Sequence, residues 1–230
     1  QTARMEILLV AATPFEILPV QEWLQARFKK NEQGIYRNKD LSVSILVTGV
    51  GIAATSWSLG NYFARKQPDL AINAGVAGAL DVSLSLGAVL QVVSERFGDL
   101  GVEEADGRFS DLFELGLLEP SEKPYINGLL YNPDAAESRF LPHVKGLTVS
   151  KVHGSEPSIT AIRQKYPDAQ VESMEGAAFF QACLLSGVPF LEIRSISNYV
   201  EPRNRDAWQL GLAIENLSRT LVEMMESLMV

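Results

Sequence analysis

A chain of 230 residues, 47% of them hydrophobic, can bury a sizeable core, which excludes a disordered protein and points to one α/β domain. A formal net charge of −8 argues against nucleic-acid and anionic-membrane partners. The one cysteine, Cys183, excludes an internal disulfide and reads as a small core residue of a reduced compartment. No apolar run reaches the roughly 20 residues that span a bilayer, and no signal peptide is evident, so a cytoplasmic location is expected. Gln1–Arg4, ahead of Met5, are set aside as a remnant, leaving one domain over residues 5–230.

Ile7–Ala12 (ILLVAA) predicts a parallel strand buried on both faces. Thr13 and Pro14 break it and suit the cap and first turn of a helix over Phe15–Lys29. Glu16, just past the strand, reads by itself as an acid favoured by the helix dipole. Leu41–Val47 predicts a second strand, and Gly49-Val50-Gly51 turns it into a helix ending near Arg65. A lone G-x-G marks either a tight turn or a ligand-facing one, and no Gly-Lys-Ser/Thr follows to make a P-loop. Leu70–Ala74 is the next strand, leading into Asn73–Ala79 (NAGVAGA), whose small residues, Gly75 among them, allow close approach of a ligand or close packing. Gly87–Arg96 reads as a strand.

Gly98–Lys123, with eight acidic and two basic residues, is too long for an ordinary connection. It is either a solvated excursion or a wall of a pocket in which Phe97, Phe109 or Phe113 meets a flat ring. Leu147–Val152 predicts a strand and Ile159–Tyr166 a helix that Ser155 can cap, with His153 as a structural hydrogen-bonder between them. His143 and His153 do not form a zinc site, and neither metal nor cofactor is expected. Glu175 then opens an Ala-rich helix, Val188–Ile196 is a strand ending in Ser197, Asn198 and Tyr199, and Asp206–Met229 is an amphipathic closing helix. Strands alternating with helices predict a single-domain three-layer α/β/α fold with a mixed, mostly parallel sheet.

Met174-Glu175-Gly176-Ala177-Ala178, Gly187-Val188-Pro189-Phe190 and Arg194-Ser195-Ile196-Ser197-Asn198 together resemble the signature of the nucleoside phosphorylase and nucleosidase superfamily. The run Asn198–Arg205 (NYVEPRNR) is similar to the branch of it that hydrolyses futalosine, a hypoxanthine nucleoside of an alternative menaquinone pathway. The resemblance extends from Glu6 to the final helix and is weak between Gly98 and Lys145. It implies a nucleoside phosphorylase-like fold, a small-molecule nucleoside substrate and a homo-oligomer. By the same resemblance Glu16 matches the glutamate that orients the attacking water, and Met174 and Glu175 match the pair that holds the ribose. The turn at Gly49–Gly51 resembles the strand end that faces the sugar, the loop at Ser155 resembles the one that contacts the purine, and Gly75, Arg194 and Ser197 belong to the substrate-binding set.

Phosphate-using members carry arginines where this chain has Asn73 and Ala12-Thr13-Pro14-Phe15, which favours water over phosphate as the nucleophile. Adenine-cleaving relatives carry aspartate where Asn198 stands. An amide has no proton to give at neutral pH but offers one acceptor and two donors. It can accept from a protonated N7 while donating to a carbonyl at C6, so Asn198 predicts a 6-oxopurine leaving group. Opposing adenine's amine to it costs about 1–3 kcal/mol. Hydrolysis of futalosine is therefore expected. The alternatives are cleavage of aminodeoxyfutalosine, methylthioadenosine or S-adenosylhomocysteine, phosphorolysis of inosine or guanosine, and, in another class, a noncatalytic nucleoside-binding or storage protein.

Overall fold

The computed structural model describes residues 4–135 and 140–229. Gln1–Ala3 of the remnant set aside above lie outside the described residues, while Arg4 Nε donates to Asn38 O at 2.6 Å. Strand β1 (Met5–Ala11) shows why its sequence is wholly apolar. Ile7, Leu9 and Ala11 pack with Ile17, Val20 and Leu24 of helix α1 (Pro14–Arg27) and with Leu217, Leu221 and Met225 of a C-terminal helix, Leu210–Ser227. Leu8 and Val10 pack on the other face with Leu59 of helix α2 (Ile52–Phe63), and with Phe179, Phe180 and Cys183 of a helix over Gly176–Ser186. These two cores make the helix–sheet–helix sandwich, and Cys183 is buried and free as expected.

The remaining strands are β2 (Lys29–Lys30), β3 (Tyr36–Arg37), β4 (Leu41–Val47), β5 (Leu70–Ala79), β6 (Val89–Glu95), β7 (Gly101–Glu103), β8 (Phe109–Asp111), β9 (Leu130–Tyr131), β10 (His143–Thr148), β11 (Val171–Ser173) and β12 (Phe190–Tyr199). Between them run α3 (Glu156–Lys165), α4 (Gly176–Ser186) and the closing helix α5 (Leu210–Ser227). Among the described residues ten strands form one sheet, in the order β11-β10-β6-β12-β5-β1-β4-β3-β2 with β9 on β6. β4, β1, β5 and β12 run parallel to one another, and β6, β10 and β11 run parallel among themselves. The two sets meet antiparallel at β12–β6 and again at β11–β5. The second seam closes part of the sheet on itself, a curvature that strand alternation alone does not announce.

Several boundaries differ from the sequence reading. The strand expected to end at Ala74 runs on through NAGVAGA, so that β5 is ten residues long. Its alanines and glycines fit there because strands flank β5 on both sides and buried side chains press on it. The strand expected at Leu147–Val152 lies at His143–Thr148, where exposed His143 and Lys145 alternate with buried Val144, so one face of this part of the strand is turned to solvent. After it Val149 N–H still donates to Ser173 O of β11, and the backbone then turns away, Ser150 N–H donating to Asp99 Oδ2. The last helix starts at Leu210, after a 3-10 turn at Arg205–Ala207. Within Gly98–Lys123, β7 and β8 form a separate two-stranded ribbon.

Candidate active site

The site is built around the middle of β5. Glu16 occupies the third position of α1. Its Oε2 accepts from Thr13 N–H at 2.9 Å and from the Thr13 hydroxyl at 3.0 Å, and its Oε1 accepts from Val76 N–H at 3.2 Å. The acid that closes the capping box of α1 is thus also pinned against β5. Gly75 lies beneath it, and a methyl group there would collide with the Arg194 guanidinium and the Glu16 carboxylate.

Arg194 pairs with Gly75 in the ladder of β12 on β5. Glu175 arrives by another route. β11 runs back along β5, with Val171 opposite Ala79 and Glu172 opposite Gly78, so the chain reaches Glu175 beside the centre of the strand. There Glu175 caps α4, its Oε1 accepts from Gly51 N–H at 3.0 Å, and its Oε2 stands 3.9 Å from Arg194 Nη2. The Gly49-Val50-Gly51 turn that presents this N–H needs its glycines, at φ +87° and +94°.

Arg194 is 1% exposed, and its Nε donates to Glu192 Oε1 at 2.7 Å. Burial works against its charge, but Glu192, Glu175 and Glu16 hold it protonated and raise its pKa above the usual arginine value. Burial also raises the Glu175 carboxyl. The charge of Arg194 and the Gly51 N–H pull the other way, and Glu16 adds to the rise. Behind Arg194 lie two buried carboxyls that the sequence reading missed, Glu192 and Glu95. Glu95 is pushed well above the ordinary carboxylate range by burial and then by Glu192, while the Thr148 hydroxyl donates to its Oε2 at 2.9 Å. The only signal for them was a charged residue inside an apolar strand, in FLEIRSIS and VLQVVSE.

Three residues further along β5, roughly 10 Å, the other end of the site forms around Gly78. The register of β12 on β5 slips between Ile196 and Asn198, and this bulge at Ser197 re-aims the Asn198 side chain beside Gly78. Asn198 Nδ2 donates to Tyr199 O at 3.0 Å, and Asn198 Oδ1 accepts from the buried Ser197 hydroxyl at 2.8 Å. Each end of the amide keeps capacity for one more bond. Asn198, Gly78, His153, Glu172, Tyr199 and Trp208 line a narrow recess of about 50 Å³.

Met174 lies with Val50, Gly51, Ile52 and Phe97 along a second cleft of about 410 Å³. Of the three phenylalanines considered, only Phe97 is there: Phe109 lies under Lys165 and Phe113 packs on Tyr125. Ser155 is not brought into the recess. It is exposed at the N-cap of α3 and its hydroxyl donates to Ser158, while its neighbour His153 takes the place at the recess. Neither Ser197 nor Arg194 lines the recess or the cleft: the Ser197 hydroxyl bonds to Asn198, and Arg194 stands against Glu192 and Glu175.

The family model described as the phosphorylase superfamily matches residues 6–226. The chain is 33% identical to the futalosine hydrolase of Streptomyces coelicolor over 184 residues, 76% of this chain and 74% of that one. It is 29% identical to the 5'-methylthioadenosine/S-adenosylhomocysteine nucleosidase of Staphylococcus aureus over 162 residues, 70% of each chain. Among solved structures, the native futalosine hydrolase of Helicobacter pylori superposes with a TM-score of 0.76 at 16% identity, covering 97% of this chain and 98% of that one.

Proposed function

The chain belongs to the phosphorylase superfamily, and from that membership and its site geometry we propose that it hydrolyses the N-glycosidic bond of futalosine, giving hypoxanthine and dehypoxanthine futalosine. Cleavage passes through an oxocarbenium-like sugar. Glu16, held by three hydrogen bonds, orients a water and takes its proton within hydrogen-bond reach of the anomeric carbon. Glu175, fixed by Gly51 N–H, accepts from the ribose hydroxyls while the Met174 thioether packs on the sugar. Asn198 reads the base at the other end, accepting from protonated N7 and donating to the C6 carbonyl. The roughly 10 Å between Gly75 and Gly78 along β5 suits a sugar at one end and a purine at the other.

The observation that carries this reading is the amide of Asn198 facing the recess at the end of a strand whose middle holds two oriented carboxylates. Hydrolysis is favoured over phosphorolysis by charge: Glu16, Glu175 and Glu192 surround the guanidinium of Arg194, so a phosphate dianion would meet net negative charge. The 29% identical methylthioadenosine/S-adenosylhomocysteine nucleosidase supports a second reading, adenine release, and Asn198 is the residue that opposes it. Base release from futalosine, inosine and methylthioadenosine, with and without phosphate, separates the readings. Hypoxanthine from futalosine with no dependence on phosphate is expected. Adenine release from methylthioadenosine alone overturns the substrate, a ribose 1-phosphate product overturns hydrolysis, and tight binding without turnover indicates a storage protein.

The working unit is a homo-oligomer. Val50, 56% exposed, and Trp57, 72% exposed, stand at the start and on the outer face of α2, next to the cleft that Met174 lines.

A further inference from the structure

A hypoxanthine leaving the sugar takes the electron pair of the C1′–N9 bond, and it departs far more readily when its ring is protonated. The Asn198 amide cannot supply that proton. Glu16 and Glu175 lie at the sugar end, three residues away along β5. A titratable pair does border the base end. Glu172 is 4% exposed and sits opposite Gly78 across one face of the β5 ladder, as Asn198 does across the other. Its Oε1 accepts from His153 N–H at 3.0 Å, and its Oε2 meets His153 Nδ1 in a short contact. The carboxylate thus grips both the loop and the ring. With Nδ1 on Glu172, Nε2 is the ring nitrogen left to serve the recess that His153 lines together with Asn198 and Gly78.

We propose that His153, oriented by Glu172, is the proton donor to the departing base. This deepens the hydrolase reading and rests on it. The water oxygen bonds to C1′ as the C1′–N9 bond breaks with its electron pair going to the purine. One water proton passes to Glu16, and the Nε2 proton of His153 passes to the purine. Glu16 then releases its proton to solvent and His153 regains one, so the net reaction consumes one water. His153 touches the base in this scheme, and Glu172 is a positioning residue. The charged groups facing His153 are Glu172 from β11 and Glu201 and Arg203 from the segment after β12, with Glu156 following on its own loop at the start of α3. The Arg203 guanidinium lies over the Trp208 ring at 5.7 Å.

The test follows hypoxanthine release from futalosine against pH for the parent, His153→Gln and Glu172→Gln. His153→Gln can still donate to Glu172 but has no transferable proton. It should lower kcat by roughly 10²–10⁴ with KM little changed. In the parent the rate should fall as pH rises, and in His153→Gln that alkaline fall should be absent. Glu172→Gln should lower kcat with KM little changed, whereas a role in pinning the loop alone would act on KM. A His153→Gln enzyme with kcat within about tenfold of the parent, or with the same alkaline fall, would overturn the proposal. If circular dichroism shows that His153→Gln does not fold, Glu172→Gln decides: a parent-like kcat overturns the assignment. Failure of the underlying reading shows instead in the parent, which would release no hypoxanthine at all and remove both.

Discussion

At Glu16 one carboxylate accepts three hydrogen bonds, from Thr13 N–H, the Thr13 hydroxyl and Val76 N–H. Glu16→Gln keeps one acceptor oxygen but turns an NH₂ toward backbone donors, at a cost of about 1–3 kcal/mol. The variant should fold with a modestly lower Tm and lose turnover by roughly 10²–10⁴. Parent-like kcat would remove Glu16 from the mechanism. At Asn198 the exchange is smaller. Asn198→Asp retains the bond from Ser197 but sets a carboxyl oxygen against Tyr199 O, where Nδ2 now donates at 3.0 Å, and against the C6 carbonyl of the base. Futalosine hydrolysis should fall by up to roughly a hundredfold, the worth of one mispaired buried group, with any gain appearing on adenine nucleosides. Equal kcat/KM for futalosine in parent and variant would show that Asn198 does not read the base. Both positions were legible in the sequence because each stands at the end of an element. Glu95 and Glu192 were not, because burial deep in apolar strands says nothing of which charge they face.

The start of α4 shows how tightly elements close on those carboxyls. A methyl group on Gly176 would press on Glu95 Oε1 and lie 2.7 Å from Glu192 Oε1. Gly176 does not have positive φ, so Gly176→Ala is neutral for the backbone and tests packing alone. Overpacking of this kind costs about 1–3 kcal/mol, and a domain of this size loses roughly 2–4 °C of Tm per kcal/mol. An unchanged Tm would mean that the two carboxyls yield freely. Activity should fall further than stability, because Glu192 is the partner that holds the Arg194 Nε. β5 carries the complementary lesson. The small residues of its NAGVAGA run allowed either close approach of a ligand or close packing; the run continues the strand, and there the Glu16 and Arg194 side chains crowd Gly75 and Val200 crowds Gly78.

For the molecule as a whole, the exposed apolar residues beside the cleft bear on assembly. The parent should elute as a dimer or larger in size-exclusion chromatography, and Trp57→Glu, on the outer face of α2, should shift it to the monomer while retaining the fold. A monomeric parent would remove the homo-oligomer from the reading. The sequence by itself determined the layered α/β class, since β1 is apolar on both faces and α5 on one. It also determined the family, since the Met174–Ala178 and Arg194–Asn198 blocks are contiguous, and the chemistry of Asn198, which belongs to the residue type. Only the tertiary structure decided how these groups meet. The antiparallel seam of β11 on β5 carries Glu175 to Arg194 and Glu16, and sets Glu172 and His153 beside Asn198. That seam joins segments about 90 positions apart in the chain by backbone hydrogen bonds, which every residue can make and which therefore leave no mark in the order of side chains.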